Sequence, residues 1–507
     1  MQPIARTRDG QLEGRLEEGL CVFRGVPYAR AARWQPPAPP EPWSGVRSAR
    51  SFGAAAPQSS PQIPFANRLI GARSGEQNED CLTLNIWTQG ADGRRRPVLV
   101  WIHGGAFALG SGSTALYDGA RLAHKGVVVV TLNYRLGALG FLDLSSRWRG
   151  RFAANAGILD QIAALAWVRE HIEAFGGDPS NVTIFGESAG GMSVGTLLGT
   201  PAAQGLFQRA VAQSGAADHV STRARAAEIA EVFLDELGAR SPDALLAAPV
   251  ADLVAAQVRA TARVGLFDGR LPWQPSVDGD LLALPPREQI AKGIARGVPL
   301  LVGTNRDEWK LFLLGDRKAR RLDEAALRRR LARALPGRDA RGAELAERAF
   351  TAYRGAAAPR SGASPSECWE RFQADRIFHA PAHRLAELQS AFAPTFAYRF
   401  DWAPPGLRGW LGACHGLEIP FVFGTLREPP LAPLFFFAPG SGRLAARMQR
   451  AWLAFAKGGD PGHDELPDWP AYDATRRATL VFAPRCKVED APYAEALRFW
   501  GELEAAT

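Results

Sequence analysis

The chain of 507 residues is 46% hydrophobic and 22% charged, which is the composition of an ordinary globular protein. Its formal net charge of +8 at pH 7 comes from arginines spread along the chain and predicts a solvated basic surface; no nucleic-acid-binding motif is present, and we expect no nucleic-acid partner. The sequence has no run of about 18 apolar residues, so we expect no membrane-spanning segment.

The amino-terminal segment and the cysteines favour a reducing compartment. The first thirty residues are rich in charge and contain no apolar stretch of the length that a signal peptide needs. The five cysteines are odd in number and show no Cys-x-x-Cys spacing, which favours free thiols over a disulfide framework. We therefore expect a cytoplasmic protein.

The first two-thirds of the chain alternates apolar runs with helical patterns. A stretch rich in Pro, Ala and Ser at 30–75 predicts surface loops. Residues 97–103 and 127–132 are continuous apolar runs rich in β-branched side chains, which is typical of strands buried on both faces of a sheet. Between residues 157 and 175 apolar side chains recur at helical spacing, and two glycines end that helix.

Later segments extend the same alternation. Strands are predicted at 209–213, 298–302, 395–400 and 478–482, and a closing helix at 493–503. This order predicts an α/β fold whose large, mostly parallel central sheet is covered by helices on both faces. We expect a single domain over residues 1–507, with a helical insertion at about 317–390 that carries a solvated arginine face.

The segment Gly-Glu-Ser-Ala-Gly at 186–190 follows the apolar run 182–185 and precedes a helix start built from small residues. A strand, a serine flanked by glycines and a helix together form the nucleophile elbow of the α/β-hydrolase fold. Bulky neighbours would clash at so sharp a turn, and the positive end of the following helix can stabilise an oxyanion. The segment therefore predicts an α/β-hydrolase with Ser188 as its nucleophile.

A serine nucleophile needs a histidine base, which in this fold follows it in the chain. Of the histidines after Ser188, His219 comes too soon to leave room for a strand that carries the acid. His463 lies in a Gly-Gly-Asp-Pro-Gly-His turn that predicts an exposed loop. His415 lies in a loop flanked by glycines, before the apolar segment 419–423, and is the best candidate.

The pair His379 and His383 offers a different chemistry. Two histidines four residues apart on a helix can ligate one metal ion. Pro381 interrupts this helical pattern and the sequence offers no third ligand, so we expect packing or surface positions and no metal site.

The acid that orients the base is sought at the carboxyl end of a strand, where α/β sheets assemble their sites. Asp307 and Glu308 both follow the apolar run 300–302. Sequence reasoning alone leaves both residues open.

Residues 101–107, Trp-Ile-His-Gly-Gly-Ala-Phe, end a predicted buried strand in a Gly-Gly loop. In α/β-hydrolases such a loop supplies the second set of oxyanion donors, because glycine lets main-chain amides approach the developing charge. A phosphate cradle over 104–112 is the alternative, but no Gly-Lys-Ser/Thr follows it.

Five ordered motifs closely resemble the type-B carboxylesterases, the family of the cholinesterases and the bacterial para-nitrobenzyl esterases. They are Glu-Asp-Cys-Leu-Thr-Leu-Asn-Ile-Trp at 79–87, His-Gly-Gly-Ala-Phe at 103–107, Phe-Gly-Glu-Ser-Ala-Gly-Gly at 185–191, Gly-Thr-Asn-Arg-Asp-Glu at 303–308 and His-Gly-Leu-Glu-Ile-Pro-Phe-Val-Phe-Gly at 415–424. The resemblance runs from about Gly10 to about Trp500, and the bacterial para-nitrobenzyl esterases are the nearest branch.

The resemblance implies roles for individual residues. Ser188 is the nucleophile, His415 the base and Glu308, rather than Asp307, the acid. The implied oxyanion donors are the amides of Gly105, Ala106 and Ala189. Three further residues are expected to support the site without taking part in the chemistry: Glu187, Ser214 and Gly104.

The chain also departs from the family pattern. The family joins the cysteine that corresponds to Cys81 to a cysteine upstream, and Ala56 occupies that upstream position here. Cys81 thus lacks its partner, in agreement with a reducing compartment. No tryptophan stands in the segment 67–71, where cholinesterases hold a quaternary ammonium, so a choline-type cation site is not expected.

These features predict a serine carboxylesterase that hydrolyses short- to medium-chain or aryl esters, without a metal or organic cofactor. Apolar residues before Cys81 and around Trp273 are candidate pocket-lining residues: Ile63, Phe65, Leu69, Ile70, Leu266, Phe267 and Trp273. The expected partner is a small ester, and the expected state is a monomer or weak homo-oligomer. The alternatives are an amide or carbamate hydrolase with the same three residues, and a non-catalytic binding protein of the same fold.

Overall fold

The computed structural model describes residues 2–59, 75–265, 271–335, 340–355, 363–405, 410–428, 432 and 438–505. Some of the candidate pocket-lining residues lie outside the described residues: Ile63, Phe65, Leu69, Ile70, Leu266 and Phe267. The segment 67–71 lies outside them as well.

An eleven-stranded sheet forms the centre of the described structure. Its strands are β3 Arg15–Glu17, β4 Leu20–Pro27, β6 Thr83–Thr88, β7 Arg96–Ile102, β8 Val128–Leu132, β9 Gly177–Glu187, β10 Arg209–Gln213, β11 Leu300–Asn305, β12 Thr395–Phe400, β13 Ala478–Phe482 and β14 Lys487–Asp490. A separate three-stranded sheet contains β1 Ile4–Arg6, β2 Gln11–Glu13 and β5 Val46–Ser48.

The strands of the large sheet lie in the order β14-β13-β12-β11-β10-β9-β7-β8-β6-β4-β3. Neighbours from β13 to β8 pair in parallel. The flanking strands β14, β6, β4 and β3 pair antiparallel. The predicted α/β-hydrolase fold with a mostly parallel centre is therefore confirmed, and the antiparallel margins are an addition to it.

Helices cover both faces of the sheet. The α-helices are Ala120–Ala123, Gly137–Phe141, Ala156–His171, Ala189–Leu198, Arg223–Leu237, Pro242–Ala247, Val250–Val264, Pro286–Ala291, Lys310–Leu313, Glu324–Ala334, Ala340–Gly355, Pro365–Ala374, Ala380–Ser390, Ile419–Phe423, Ser441–Gly458 and Ala494–Ala505. Short 3-10 helices lie at Ala115–Tyr117, Ile172–Phe175, Pro201–Ala203 and Ala319–Arg321, and a π-helical turn lies at Asp375–His379.

The core shows why residues 98–102 of β7 are all apolar. Val98, Val100 and Ile102 belong to one buried apolar cluster, whereas Leu99 and Trp101 belong to another. Alternate side chains of a strand point to opposite faces, so both faces of this strand are covered. A third, smaller cluster lies among the helices between residues 319 and 380 and the carboxyl-terminal helix.

The parallel register aligns the strand ends that carry the site. Ile102 of β7 pairs with Gly186 of β9, and Gln213 of β10 pairs with both Glu187 of β9 and Gly303 of β11. The loops that follow β7, β9, β10 and β11 therefore begin at one edge of the sheet, which is where the predicted site residues lie.

A buried ion pair fixes the helix Ala156–His171 against the segment that follows β8. Arg135 donates to Asp160 through its main-chain amide, 3.0 Å, and through its guanidinium Nε and Nη2, 2.8 and 2.7 Å. The side chains are 6% and 0% exposed. Loss of one partner would leave the other charge buried and unpaired.

We predict that Asp160→Ala lowers the free energy of unfolding by about 3–5 kcal/mol, since it leaves the Arg135 guanidinium buried without the carboxylate that it pairs with. Chemical denaturation of the purified protein measures this. The matched control is Asp243→Ala, which breaks an ion pair with Arg151 whose side chains are 85% and 50% exposed; we expect it to cost less than about 1 kcal/mol. Equal losses in the two variants would contradict the prediction.

Candidate active site

Ser188 lies in a sharp turn between β9 and the helix Ala189–Leu198. Its backbone has φ 57° and ψ −126°, a region that non-glycine residues rarely adopt and that costs about 1–3 kcal/mol. The turn is held because the Ser188 amide donates to the carbonyl of Gln213, 2.9 Å, and the Ser188 carbonyl accepts from the amide of Met192, 2.8 Å. The half-buried serine is thereby placed at the carboxyl edge of the sheet.

Steric constraints explain why glycine occupies positions 186 and 190, on either side of Ser188. A Cβ on Gly186 would lie 2.6 Å from the carbonyl carbon and oxygen of Gly190, and a Cβ on Gly190 would collide with the carbonyl oxygen of Ile102. Strand β7 and the elbow thus pack backbone against backbone, as the Gly-x-Ser-x-Gly pattern predicts.

The loop after β7 brings main-chain amides to the elbow. A Cβ on Gly104 would lie 2.6 Å from the carbonyl oxygen of Glu187 and 3.0 Å from the Cβ of Ser188, so this loop touches the serine. Among the residues that the structure describes, none accepts a hydrogen bond from the amides of Gly105, Ala106 or Ala189. Unpaired main-chain amides are the kind of donor that can stabilise an oxyanion.

His103 holds this loop in shape. The hydroxyl of Tyr134 donates to the His103 carbonyl, 2.8 Å, and the His103 ring stacks on the Tyr134 ring with centroids 4.6 Å apart. His103 Nδ1 lies 2.8 Å from the carbonyl oxygen of Gly104 and donates to it, since a carbonyl can only accept. Burial lowers the pKa of His103 to about 4, so the ring is neutral.

Glu308 follows β11 and is fully buried with three donors around its carboxylate. Oε1 accepts from the Ser214 hydroxyl, 2.6 Å, and from the Asn305 amide, 2.8 Å, while Oε2 lies 2.7 Å from Nδ1 of His415. The carboxylate is thus fixed in both position and orientation.

Asp307 has different partners from those of Glu308. Its Oδ2 accepts from the main-chain amide of Ala413, 2.8 Å, and it forms ion pairs with Arg306, 2.9 Å, and Lys310, 3.0 Å. Of the two residues that sequence reasoning left open, Glu308 is the one that faces the imidazole.

The two nitrogens of His415 face different groups. Nδ1 points to Glu308, and Nε2 lies 3.2 Å from Oε1 of Glu187, the residue before Ser188. Neither Nε2 nor this Oε1 has a hydrogen-bond partner among the described residues. The imidazole therefore presents Nε2 to the elbow, but no hydrogen bond joins it to the Ser188 hydroxyl in this structure.

Three buried carboxylates set the electrostatics around the imidazole. Burial alone would lower the pKa of His415, but the negative charges of Glu187 and Glu308 and the hydrogen bond to Glu308 raise it above its ordinary value. Burial raises the pKa of Glu187, against the opposing charge of His415, and the charges of Glu418 and Glu308 add to that rise. Glu187 and His415 therefore titrate as a coupled pair.

Aromatic rings cover the imidazole. The ring centroid of Phe378 lies 4.6 Å from that of His415 and the centroid of Phe312 lies 5.1 Å from it. Trp309 packs on Phe312 with centroids 4.7 Å apart. This apolar cover excludes water from the imidazole and strengthens its interaction with Glu308.

Sequence reasoning missed residues that join the acid loop to the histidine loop. The side-chain amide of Asn305 donates to the carbonyl of Cys414, 2.7 Å, and to Oε2 of Glu418, 2.6 Å. Gln213 Nε2 donates to the other oxygen of Glu418, 3.3 Å. Asn305 and Glu418 lie inside two of the five motifs. The motifs therefore contained both residues, but they did not indicate that the two side chains contact each other.

His379 and His383 are both buried, and the chain stays helical through Pro381 because the π-helical turn Asp375–His379 leads directly into the helix Ala380–Ser390. The expectation that this proline interrupts the pattern is wrong. The described residues contain no cluster of three His, Cys, Asp or Glu side chains able to hold a metal ion. Over the same residues, no helix combines the length and apolarity of a transmembrane span.

Comparison with known proteins places this geometry in a family. The sequence model of the carboxylesterase family matches residues 1–500. Para-nitrobenzyl esterase of Bacillus subtilis is 41% identical over 503 residues, which cover 97% of each chain. Phenmedipham hydrolase of Pseudarthrobacter oxydans is 35% identical over 495 residues, or 95% of each chain. A crystal structure of a Geobacillus stearothermophilus carboxylesterase superposes with a TM-score of 0.88 at 41% identity and covers 98% of this chain and 100% of that one.

The chain belongs to the carboxylesterase family. The resemblance read from the five motifs is confirmed, and the protein is a carboxylic ester hydrolase.

We predict that Glu187→Gln shifts the acid limb of the kcat/KM profile to lower pH by roughly one unit, as expected for the loss of one nearby negative charge. The charge of Glu187 raises the pKa of His415, so its loss lets the imidazole become a neutral base at lower pH. Initial rates on a 4-nitrophenyl ester, followed from acid to neutral pH, measure the shift. Asp464→Asn, at a side chain that is 75% exposed, is the control and should leave the limb in place. An unmoved limb in the Glu187 variant would refute the coupling.

Proposed function

We propose that the protein is a serine esterase that transfers the acyl group of a short- to medium-chain or aryl ester first to Ser188 and then to water. The observation that carries the proposal is the orientation of His415. One ring nitrogen faces the buried carboxylate of Glu308 at 2.7 Å, and the other faces the elbow without a hydrogen-bond partner among the described residues.

In the acylation step, His415 Nε2 takes the proton of the Ser188 hydroxyl while the serine oxygen bonds to the ester carbonyl carbon. Glu308 keeps the Nδ1 proton in place and stabilises the imidazolium. The same proton then passes from Nε2 to the leaving alkoxide, which departs as a neutral alcohol. The acyl group is left on the Ser188 oxygen.

In the deacylation step, water takes the place of the alcohol. His415 Nε2 accepts a proton from the water as its oxygen attacks the acyl carbon, and then returns the proton to the serine oxygen as the bond to the acyl group breaks. The products are the carboxylic acid and the free enzyme. None of these steps requires a metal or organic cofactor.

The amides of Gly105, Ala106 and Ala189 are the proposed donors to the tetrahedral oxyanion. They are supported by their unpaired state among the described residues and by the contact of Gly104 with Ser188. Donors that are already oriented in a site of low dielectric need no reorganisation when negative charge develops. Each such donor is worth about 10²–10³ in kcat in well-studied enzymes.

The charge of the site favours neutral substrates. Three carboxyl groups, from Glu187, Glu308 and Glu418, are buried around one imidazole, and the nearby rings of Phe312 and Phe378 are apolar. An additional carboxylate on the substrate would lose its hydration and face like charges. The cytoplasmic location and the state as monomer or weak homo-oligomer stay predictions from the sequence.

We predict that Ser188→Ala lowers kcat on 4-nitrophenyl butyrate by at least about 10⁴-fold, because no acyl-enzyme can form. Ser193→Ala is the matched control. Ser193 is buried in the next helix and accepts a hydrogen bond from Gln161, 3.0 Å, so its loss should change kcat by only a few-fold. Full turnover in the Ser188 variant would eliminate the proposed nucleophile.

The same assay with the matched 4-nitroanilide compares ester with amide hydrolysis, and we expect the ester to be hydrolysed much faster.

We predict that kcat/KM for 4-nitrophenyl butyrate exceeds that for the mono-4-nitrophenyl ester of succinic acid by at least tenfold at pH 7.5. The two acyl chains are equal in length, and only the second ends in a carboxylate. Raising the ionic strength should leave most of the difference, since buried charges are screened weakly. Equal rates on the two esters would show that the buried carboxylates do not select against anions.

A further inference from the structure

His379 is a buried histidine beside the acid loop to which the proposed reaction gives no role. It is the last residue of the π-helical turn Asp375–His379, and its side chain is 4% exposed. Turns of this kind often occur at functional sites because they redirect a side chain within a helix.

Both ring nitrogens of His379 are occupied. Nδ1 lies 2.7 Å from Oδ1 of Asp375, and Nε2 lies 2.9 Å from the main-chain carbonyl oxygen of Asn305. A carbonyl oxygen can only accept a hydrogen bond, so Nε2 carries a proton. The ring therefore links a helix to the end of β11.

The direction of the neighbouring hydrogen bonds shows that Asp375 accepts at Oδ2. Trp500 Nε1 can only donate, and it lies 2.9 Å from the hydroxyl oxygen of Tyr353. The Tyr353 hydroxyl donates its own proton to Oδ2 of Asp375, 2.9 Å. The other oxygen of Asp375, Oδ1, faces Nδ1 of His379.

The groups around His379 agree with a positive charge at this position. Burial lowers its pKa, but the hydrogen bond and charge of Asp375, the carbonyl of Asn305 and the charge of Glu308 raise it above the ordinary value. On the same helix, burial and the charge of His379 lower the pKa of His383, which leaves His383 neutral.

Two further groups face the ring from other elements. The Tyr493 ring stacks on His379 with centroids 4.4 Å apart, and burial keeps Tyr493 neutral by raising its pKa. Arg399 lies over the Tyr493 ring, 5.7 Å from its centroid, and is paired with Asp401, 2.6 Å, and Glu489, 2.9 Å. The charge nearest to His379 is therefore that of Asp375.

Asn305, whose carbonyl accepts from His379, contacts Glu308 and the residue that precedes His415. Its amide donates to Glu308, 2.8 Å, and its side chain donates to the carbonyl of Cys414, the residue before His415, 2.7 Å. A displacement of Asn305 would move the acid and the base together. Misplacement of catalytic groups by about 1 Å can cost 10²-fold in rate.

We propose that His379 is a positioning residue of the esterase reaction, whose imidazolium ties the Asn305 carbonyl to Asp375 and so holds Glu308 and His415 in register. The inference rests on the roles proposed above for these two residues. The chain of donors continues through Tyr353 and Trp500, so the peripheral helices Ala340–Gly355 and Ala494–Ala505 brace the acid loop from a distance.

The test is His379→Gln, which can still donate to Asn305 but removes the positive charge. We expect kcat on 4-nitrophenyl butyrate to fall about tenfold to a hundredfold, with KM within about twofold of the parent value. The acid limb of the pH profile should move to higher pH, because loss of a nearby cation favours protonation of the His415 imidazole. A purely structural role would not shift this limb.

Two more variants keep the test decisive if His379→Gln folds poorly. His379→Arg retains a cation with several donors and should recover most of kcat. Tyr353→Phe removes only the hydroxyl that ends on Asp375, and we expect kcat to fall about twofold to fivefold. Tyr472→Phe is its control, since the Tyr472 hydroxyl contacts His383, 3.2 Å, and not Asp375.

His383→Gln controls for disturbance of the helix, and we expect its kcat and its acid limb to match those of the parent. Thermal unfolding of every variant verifies folding. A folded His379→Gln variant with parent kcat and an unmoved acid limb refutes the positioning role, as does a Tyr353→Phe variant with parent kcat if His379→Gln does not fold. Glu308→Gln, assayed in parallel, separates the two hypotheses: if it is inactive while His379→Gln is fully active, only the positioning role fails, and if it is fully active the proposed function fails.

Discussion

The strained backbone of Ser188 is the constraint on which the rest of the site depends. A serine at φ 57° and ψ −126° is held only because main-chain atoms close in on it from three strands. Its amide is bonded to the carbonyl of Gln213 at the end of β10, and the glycine two residues on packs against the Ile102 carbonyl at the end of β7. Parallel register therefore does more than build the core, since it supplies the atoms that fix the elbow.

The two carboxylates beside His415 differ in how they are satisfied. Glu308 accepts from Ser214 and Asn305 as well as from the imidazole, whereas Oε1 of Glu187 has no hydrogen-bond partner among the described residues. Burial raises the pKa of Glu187, and the charge of Glu187 in turn raises the pKa of His415. The same chemical group can thus orient the base at one position and tune its pKa at the other. The hydrogen bonds around Glu308 extend outward to the peripheral helices, so distant packing contributes to this difference.

The fold was predictable wherever burial is uniform along a strand. The runs 209–213, 395–400 and 478–482 coincide with β10, β12 and β13, because strands covered on both faces are rich in apolar side chains. The antiparallel margins were not predicted. Strands such as β3 and the members of the small sheet span three residues each, which is too short for a periodic pattern.

For the site, the sequence by itself determined the sharp turn at Ser188 and the glycine-rich loop after β7, because both need residues small enough to permit close backbone contacts. Motif resemblance then selected Glu308. Only the tertiary structure decided which way each side chain faces: Asp307 and Glu308 are adjacent, yet one holds the Ala413 amide and the other holds His415. The proline at 381 was likewise misjudged, since a π-helical turn accommodates it. Hydrophobic periodicity in a sequence indicates which residues are buried. It does not indicate which buried side chains meet: Glu308 and His415 are 107 residues apart, and the packing of their loops brings them together.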